Sequence, residues 1–111
     1  LQGLPLMTKL NPNHPGRLVE DVLEALAISP STLAKAIKVS PSTVSRIVRG
    51  QMSVSADLAL RLEKSLNIDA RLLIDMQAAY DLRQAEIEAQ NSDLLFSLPN
   101  LVHDPRPVTK P

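Results

Sequence analysis

The side chains best suited to binding chemistry lie in one window of this chain, between Ile28 and Gly50. The window contains several serines and threonines, no acidic residue, and four basic residues, Lys35, Lys38, Arg46 and Arg49. Lysine and arginine bind phosphates, arginine can also pair with guanine in bidentate fashion, and serine or threonine hydroxyls can bond base edges or phosphates. This combination favours contact with double-stranded DNA.

Residues for enzymatic or metal chemistry are not found in a usable arrangement. The chain has no cysteine, and its two histidines, His14 and His103, lie at opposite ends in proline-flanked segments. The sequence contains no metal-ligand spacing, phosphate-binding loop or nucleophile turn. We therefore expect a protein that is not an enzyme and needs no cofactor or metal. His14 is interpreted as a helix-start residue, and the serines of the turns as helix caps.

Proline marks where the helices that carry these residues begin. The pairs His14-Pro15, Ser29-Pro30 and Ser40-Pro41 predict three helix starts, because the first helical turn tolerates proline and serine is a good N-cap. Ser55 and Asp69 predict two more starts. Apolar residues recur at spacings of three and four in all five segments, which is typical of helices with one buried face. We predict an all-α fold of five helices, the last reaching about Gln90.

The second and third helices have the length and spacing of a helix-turn-helix. In the third helix, Val44, Ile47 and Val48 are expected to be buried. We predict that the exposed residues Ser42, Thr43 and Arg46 contact base edges. Contacts to the DNA backbone are predicted for Lys35, Lys38, Ser40, Ser45 and Arg49. From spacing alone, a small helical domain that does not bind DNA is an equally good interpretation.

Composition is that of one globular domain. The 111 residues are 44% hydrophobic and 22% charged, with a formal net charge of zero, so an electrostatic partner must be met by a local surface. An aromatic content of 2% argues against single-stranded nucleic acid, which is bound by aromatic stacking. No segment predicts a membrane span or a secretory signal, so we expect a cytoplasmic protein.

Three regions are predicted along the chain. Residues 1–10 are expected to be a disordered segment, in which Leu1 to Leu6 precede a plausible start at Met7 and are interpreted as a cloning remnant or upstream read-in. Residues 11–90 are expected to form the DNA-binding and dimerisation domain. Residues 91–111 are rich in proline and predict an irregular C-terminal tail.

The run from Ile28 to Gly50 resembles the helix-turn-helix of the phage-repressor-like (XRE) family. Residues at that pattern's apolar positions are Leu33, Ala34, Ile37, Val39, Val44 and Ile47. The resemblance implies a lambda-repressor-like DNA-binding domain. Lys38 departs from the pattern, because the family often has glycine in this turn. A left-handed backbone conformation there would cost lysine roughly 1 kcal/mol.

A second resemblance, to the HigA-type antitoxins of bacterial toxin–antitoxin modules, covers about residues 11–88. It is carried by Asn13-His14-Pro15-Gly16, by the run from Ser53 to Leu62 and by the run from Met76 to Glu86. The sequence departs at Leu72-Leu73-Ile74-Asp75, where the family usually has an aromatic residue and an asparagine. The resemblance implies a homodimer that binds operator DNA, represses its own operon and neutralises a toxin similar to RelE-type mRNA-cleaving ribonucleases.

Surfaces for these protein partners are less closely defined by the sequence. Leu73, Met76 and Tyr80 of the fifth helix are predicted to form the dimer interface, although they could instead close the core of the monomer. The toxin could bind the acidic residues Asp75, Asp81, Glu86 and Glu88, or the apolar residues of the tail, Leu94, Leu95, Phe96, Leu98, Leu101 and Val102. An orphan XRE-type regulator, or a protein-interaction module that keeps the fold without specific DNA binding, are the alternative functions.

Overall fold

A computed structural model describes residues 13–102. The segment 1–10 predicted to be disordered, the end of the predicted tail and His103 lie outside the described residues. The described residues contain six helices and no strand: α1 Pro15–Leu26, α2 Pro30–Ile37, α3 Pro41–Val48, α4 Ala56–Leu66, α5 Ala70–Gln90 and α6 Leu94–Ser97. The predicted all-α fold with a helix-turn-helix is confirmed. The single turn of α6 is a difference, since this segment was expected to be irregular.

Helices α1 to α5 each begin at the predicted capping residue. The Nδ1 atom of His14 accepts a hydrogen bond from the backbone N–H of Gly16 at 2.9 Å. Ser29, Ser40 and Ser55 accept from the N–H group three residues on, and Asp69 accepts from Arg71. The first N–H groups of a helix have no partner within the helix, so each cap satisfies a donor that would otherwise be left unpaired.

Helices α1, α2 and α4 each end at a residue with a left-handed backbone conformation. Ala27, Lys38 and Asn67 follow these helices with φ values of 56°, 61° and 59°, in the left-handed region. In each case the backbone N–H of the left-handed residue donates to a carbonyl of the last helical turn. Lys38 therefore adopts the strained conformation that usually favours glycine at this turn.

Helices α1 to α5 enclose one apolar core. Its fully buried members include Val19, Val44, Ile47, Leu62 and Leu73, which come from four of the five helices. Helix α1 approaches α3 so closely that a Cβ atom on Gly16 would overlap the carbonyl oxygen of Ile47. The inner face of α3 therefore packs against the core, and the opposite face of α3 stays exposed.

Leu73 belongs to this core and not to the molecular surface. Its side chain is 0% exposed within the monomer, because it packs beneath α4 and α1 at the start of α5. Leu73 therefore has no surface left to contact a second copy of the chain. Of the two interpretations given for this residue, dimer interface and monomer core, its position fits the monomer core.

None of the helices in residues 13–102 is both long enough and apolar enough to cross a membrane.

Candidate DNA-binding surface

The helix-turn-helix is built from α2, the turn Lys38–Ser40 and α3. In the turn, the N–H of Val39 donates to the carbonyl of Ala34 at 3.0 Å, and the N–H of Lys38 donates to that of Lys35. These bonds use carbonyls that the end of α2 would otherwise leave unpaired. The turn therefore ends α2 sharply and sets the direction in which α3 leaves.

Arg61 of α4 stabilises the same turn through hydrogen bonds to its backbone. Its Nη1 atom donates to the carbonyl oxygen of Ile37 at 2.9 Å and lies 3.5 Å from that of Lys38. Its Nε atom lies 3.0 Å from Oδ2 of Asp57, one helical turn earlier. Sequence reasoning missed this role. The pairing of Asp57 with Arg61 was visible as an i,i+4 spacing, but the carbonyls that Arg61 binds lie more than twenty residues away along the chain.

The outer side of α3 and of the residue that caps its C-terminal end, which we call the recognition face, consists of Ser42, Thr43, Ser45, Arg46 and Arg49. Ser42, Arg46 and Arg49 are exposed, and their spacing of four and three residues places them on one side of the helix. Thr43 and Ser45 flank them and are half-buried. Val44 and Ile47 are buried and Val48 is half-buried, so the expected inner face is confirmed.

The start of α3 carries a cluster of hydroxyl groups around Ser40. Ser40 Oγ accepts from the N–H of Thr43 at 3.2 Å and lies 3.0 Å from the hydroxyl oxygens of Ser42 and Thr43. A hydroxyl has one donor and two acceptor sites; Ser40 uses all three in these contacts, while Ser42 and Thr43 keep capacity for further hydrogen bonds. The positive end of the α3 dipole lies at the same place. The arrangement can therefore receive a phosphate oxygen or present hydroxyls to a base edge.

The four basic residues of the helix-turn-helix are all exposed. Ion pairs in residues 13–102 join Arg17 to Asp21, Arg61 to Asp57 and Arg83 to Glu86, and none involves Lys35, Lys38, Arg46 or Arg49. Their charges are consequently available to a polyanion. Lys35 and Lys38 lie on α2 and its turn, and Arg46 and Arg49 lie on and just after α3.

A second cluster joins the start of α1 to α5 and the loop between α3 and α4. The ring of His14 meets that of Tyr80 edge to face, with centroids 5.1 Å apart. Gln77 accepts from the N–H of Val54 through Oε1 at 2.7 Å and donates through Nε2 to Oδ1 of Asp81 at 2.9 Å. The His-Pro-Gly start and the Gln-Ala-Ala-Tyr-Asp stretch, which are far apart in sequence, therefore meet in one structural contact.

Burial lowers the pKa of His14 below its ordinary value of 6.5. A hydrogen bond with the backbone of Met52 and the nearby carboxylate of Asp81 oppose this effect and are smaller. Neutral His14 suits its position, because Nδ1 must keep a lone pair to cap α1. Tyr80 is half-buried against His14, and Met76 is also half-buried. Both predicted dimer residues keep some exposed surface, unlike Leu73.

Within residues 13–102, no group of histidine, aspartate or glutamate side chains is arranged to hold a metal ion.

Comparison with known proteins agrees with this geometry. Residues 19–73, which run from α1 into α5, match a family model described as helix-turn-helix. A relative is "Virulence-associated protein I" of Dichelobacter nodosus, which is 42% identical over 86 residues. The match covers 77% of this chain and 80% of that protein.

Solved structures similar to this chain include two antitoxins. The Pseudomonas aeruginosa antitoxin HigA with higBA promoter is 36% identical, with a TM-score of 0.71, over 83% of this chain and 100% of that one. The antitoxin GraA is 36% identical, with a TM-score of 0.72, over 82% of this chain and 98% of that one. GraA has also been solved in complex with its operator.

Proposed function

This chain belongs to the XRE-type helix-turn-helix family, and from that premise we propose that it is a cytoplasmic antitoxin that binds operator DNA and represses its own toxin–antitoxin operon. The observation that carries the proposal is the recognition face. Exposed on the helix-turn-helix are a cluster of hydroxyls and four basic residues that make no ion pair within residues 13–102, and structural neighbours of the chain are antitoxins solved with promoter or operator DNA.

Each group on this surface receives a proposed role. Arg46, near the middle of the recognition face, pairs with guanine, while Ser42 and Thr43 bond neighbouring base edges. The helix-turn-helix contacts the DNA backbone with Lys35, Lys38, Ser40, Ser45 and Arg49. The backbone contacts supply affinity that depends on salt, and the base contacts supply the preference for one sequence.

The active species in this proposal is a homodimer. One recognition helix reads only a few base pairs, so useful specificity requires two copies on half-sites about one helical turn apart. Met76 and the exposed part of Tyr80 form the proposed interface on α5. The exposed side chain of Leu72, one helical turn before Met76, adds apolar area to it.

The partner protein proposed for this chain is a RelE-like mRNA-cleaving toxin. Residues 75–90 of α5 carry one basic and four acidic residues, and this acidic part of α5 extends past Gln77, its last buried residue. A basic ribonuclease would be attracted to that surface. Being an antitoxin, the chain acts by binding, so no catalytic residue is assigned to it.

Titration against its own upstream DNA tests the proposal. The full chain is mixed with the upstream duplex and with a scrambled duplex of the same composition, each at two salt concentrations. We expect saturable binding with two copies per site, lost on scrambling, because base contacts and not charge alone distinguish the duplexes. A logarithmic plot of affinity against salt should show a negative slope set by the number of phosphates contacted.

Two other results would overturn the proposal. Equal, salt-sensitive binding to both duplexes, or no binding to either, would make the helix-turn-helix a scaffold for protein partners. Specific operator binding by a chain whose operon encodes no toxin would leave an orphan regulator of the same family.

A further inference from the structure

Two polar side chains, His14 and Gln77, are buried among the described residues, and both bond the backbone of the loop between α3 and α4. Gln77 is 7% exposed and lies in α5, 23 residues beyond Val54, the loop residue that it binds. Burying an amide is unfavourable unless its polar atoms have partners. Both polar atoms of the Gln77 side chain have one, so this contact joins α5 to the loop in one specific arrangement.

The orientation of the Gln77 amide is fixed by two partners of opposite kind. Its Oε1 atom accepts from the N–H of Val54 at 2.7 Å, and its Nε2 atom donates to Oδ1 of Asp81 at 2.9 Å. A backbone N–H can only donate and a carboxylate can only accept, so the amide cannot turn over without losing both bonds. Asp81 lies one helical turn after Gln77. Helix α5 therefore supplies both the amide and the group that anchors it.

The loop held by Gln77 is joined to the C-terminal end of α3. The N–H of Gly50 donates to the carbonyl of Ile47 at 3.0 Å, and the N–H of Gln51 donates to the carbonyl of Arg46 at 2.8 Å. Gly50 is left-handed, with φ 74°, which turns the chain back onto these carbonyls. A movement of the loop therefore also moves the helical turn that carries Arg46.

Helix α5 packs mainly against α4 and α1, and not against α3. Its connection to α3 therefore runs through the loop, which Gln77 holds, and through α1, which packs against both helices. His14 lies on the second route, because it begins α1 and contacts Tyr80 of α5. Gln77 supplies the side-chain hydrogen bond that joins α5 directly to the loop.

The angle between α5 and α3 matters once two copies pair through α5. The two recognition helices of such a dimer lie about 34 Å apart, so each is about 17 Å from the two-fold axis. At that distance a swing of roughly 10° displaces the helix by about 3 Å, which is close to the rise of one base pair. A contact that fixes α3 relative to α5 therefore decides which half-site spacing fits the dimer.

We propose that Gln77 is a positioning residue for DNA recognition: by holding the loop at Val54, it fixes α3 relative to α5 and so sets the half-site spacing that the homodimer accepts. This inference rests on the homodimer and the operator binding of the proposed function. It gives Gln77 a role in specificity without contact with DNA, because the residue is buried in the monomer.

Operator duplexes of changed spacing test this role. The full chain and its variants are titrated against the upstream duplex and against duplexes with one or two base pairs inserted or deleted between the half-sites. Gln77→Met keeps the length of the side chain and removes both hydrogen bonds. We expect the parent chain to lose at least about tenfold in affinity at each changed spacing, and Gln77→Met to lose less than about threefold. A purely structural role would weaken binding to every duplex alike and leave the spacing preference unchanged.

Two further variants serve as control and rescue. Glu63→Ala removes a side-chain bond to the backbone N–H of Ala70 at the start of α5, away from the loop, and should keep the spacing preference of the parent. Gln77→Glu combined with Asp81→Asn restores both bonds with one donor and acceptor exchanged, because the glutamate accepts from Val54 and from the asparagine. This double variant should recover the spacing preference.

The remaining outcomes decide against the role of Gln77. A parent-like spacing preference in Gln77→Met, or none in the double variant or in the parent, would overturn it. If Gln77→Met does not fold, Asp81→Ala replaces it, since Asp81 is exposed and its loss frees the amide to turn away from Val54. A parent-like preference in that variant would overturn the role as well.

The parent chain, measured alongside, separates this failure from failure of the proposed function. A parent that binds the upstream duplex as a dimer with a sharp spacing preference, which Gln77→Met shares, removes only the role of Gln77. A parent that does not bind the upstream duplex, or binds it as a monomer, removes the proposed function and this inference together.

Discussion

At the scale of single residues, Arg46 is the group whose loss should separate sequence preference from general attraction to DNA. It is exposed on the recognition face and makes no ion pair within residues 13–102. Arg46→Ala should reduce the preference for the operator by about 1–3 kcal/mol with the fold intact. Competition between operator and scrambled duplex measures this preference. Lys64→Ala, on α4, removes the same charge elsewhere and should leave the preference unchanged. An Arg46→Ala variant with full operator preference would remove Arg46 from base recognition.

His14 should make stability depend on pH. Its pKa is lowered in the folded chain, so below its ordinary value of 6.5 the unfolded chain binds protons more readily. The contribution of His14 to the free energy of unfolding should be complete above pH 6.5 and should be lost as the pH drops toward the lowered pKa. Protonated Nδ1 can no longer accept the N–H of Gly16.

Urea unfolding at about pH 7.5 and about pH 5.5 measures this loss, since the interval contains the ordinary histidine pKa. His14→Asn is the matched variant, because asparagine can still cap α1 but does not titrate. The variant should lose less stability over this interval than the parent chain. His103 is present in both chains and cancels in the comparison. Equal losses in the two chains would show that His14 does not cause the dependence.

At the scale of elements, Lys38 in the turn between α2 and α3 supplies a positive charge for DNA but lowers the stability of the fold. Lys38 has φ 61°, a conformation that costs a residue with a Cβ atom roughly 1 kcal/mol more than glycine. Lys38→Gly should therefore raise the free energy of unfolding by up to about 1 kcal/mol. It should also weaken binding to all DNA alike and reduce the salt slope by about one unit, because one phosphate contact is lost.

Chemical denaturation and salt titration of the same variant check both effects. Lys38→Gln is the control, since glutamine keeps the cost of a Cβ atom in the left-handed region and also lacks the charge. The two variants should agree in DNA affinity and differ in stability. A Lys38→Gly chain that binds DNA as tightly as the parent would exclude the proposed backbone contact.

At the scale of the whole molecule, residues 91–102 should be dispensable for folding. All buried residues among those described precede Asp81, the last of them being Gln77. A chain ending at Gln90 should therefore keep the helix content and the unfolding transition of the domain, measured by circular dichroism below the dimer dissociation constant. A lower Tm under those conditions would show that the tail is part of the folding unit. If the shortened chain still blocks the toxin, the tail is excluded as the neutralising element.

Local chemistry explains how much of the fold was predictable. Each helix start is decided by a side chain that caps N–H groups two or three residues away, so Ser29, Ser40 and Ser55 could be identified from adjacent residues alone. The inner face of α3 follows from helical spacing. The departure from glycine at Lys38 likewise identified the turn that proved to be left-handed.

The sequence by itself thus determined the five main helices, the helix-turn-helix and the exposed side of α3, because these depend on neighbours within one or two helical turns. Tertiary structure alone decided the roles that depend on distant partners. It buried Leu73 in the monomer, brought Arg61 to the carbonyl of Ile37 and set His14 against Tyr80. Helical periodicity shows that a side chain faces inward or outward, but it does not show which element will meet it. That is decided only when the helices pack.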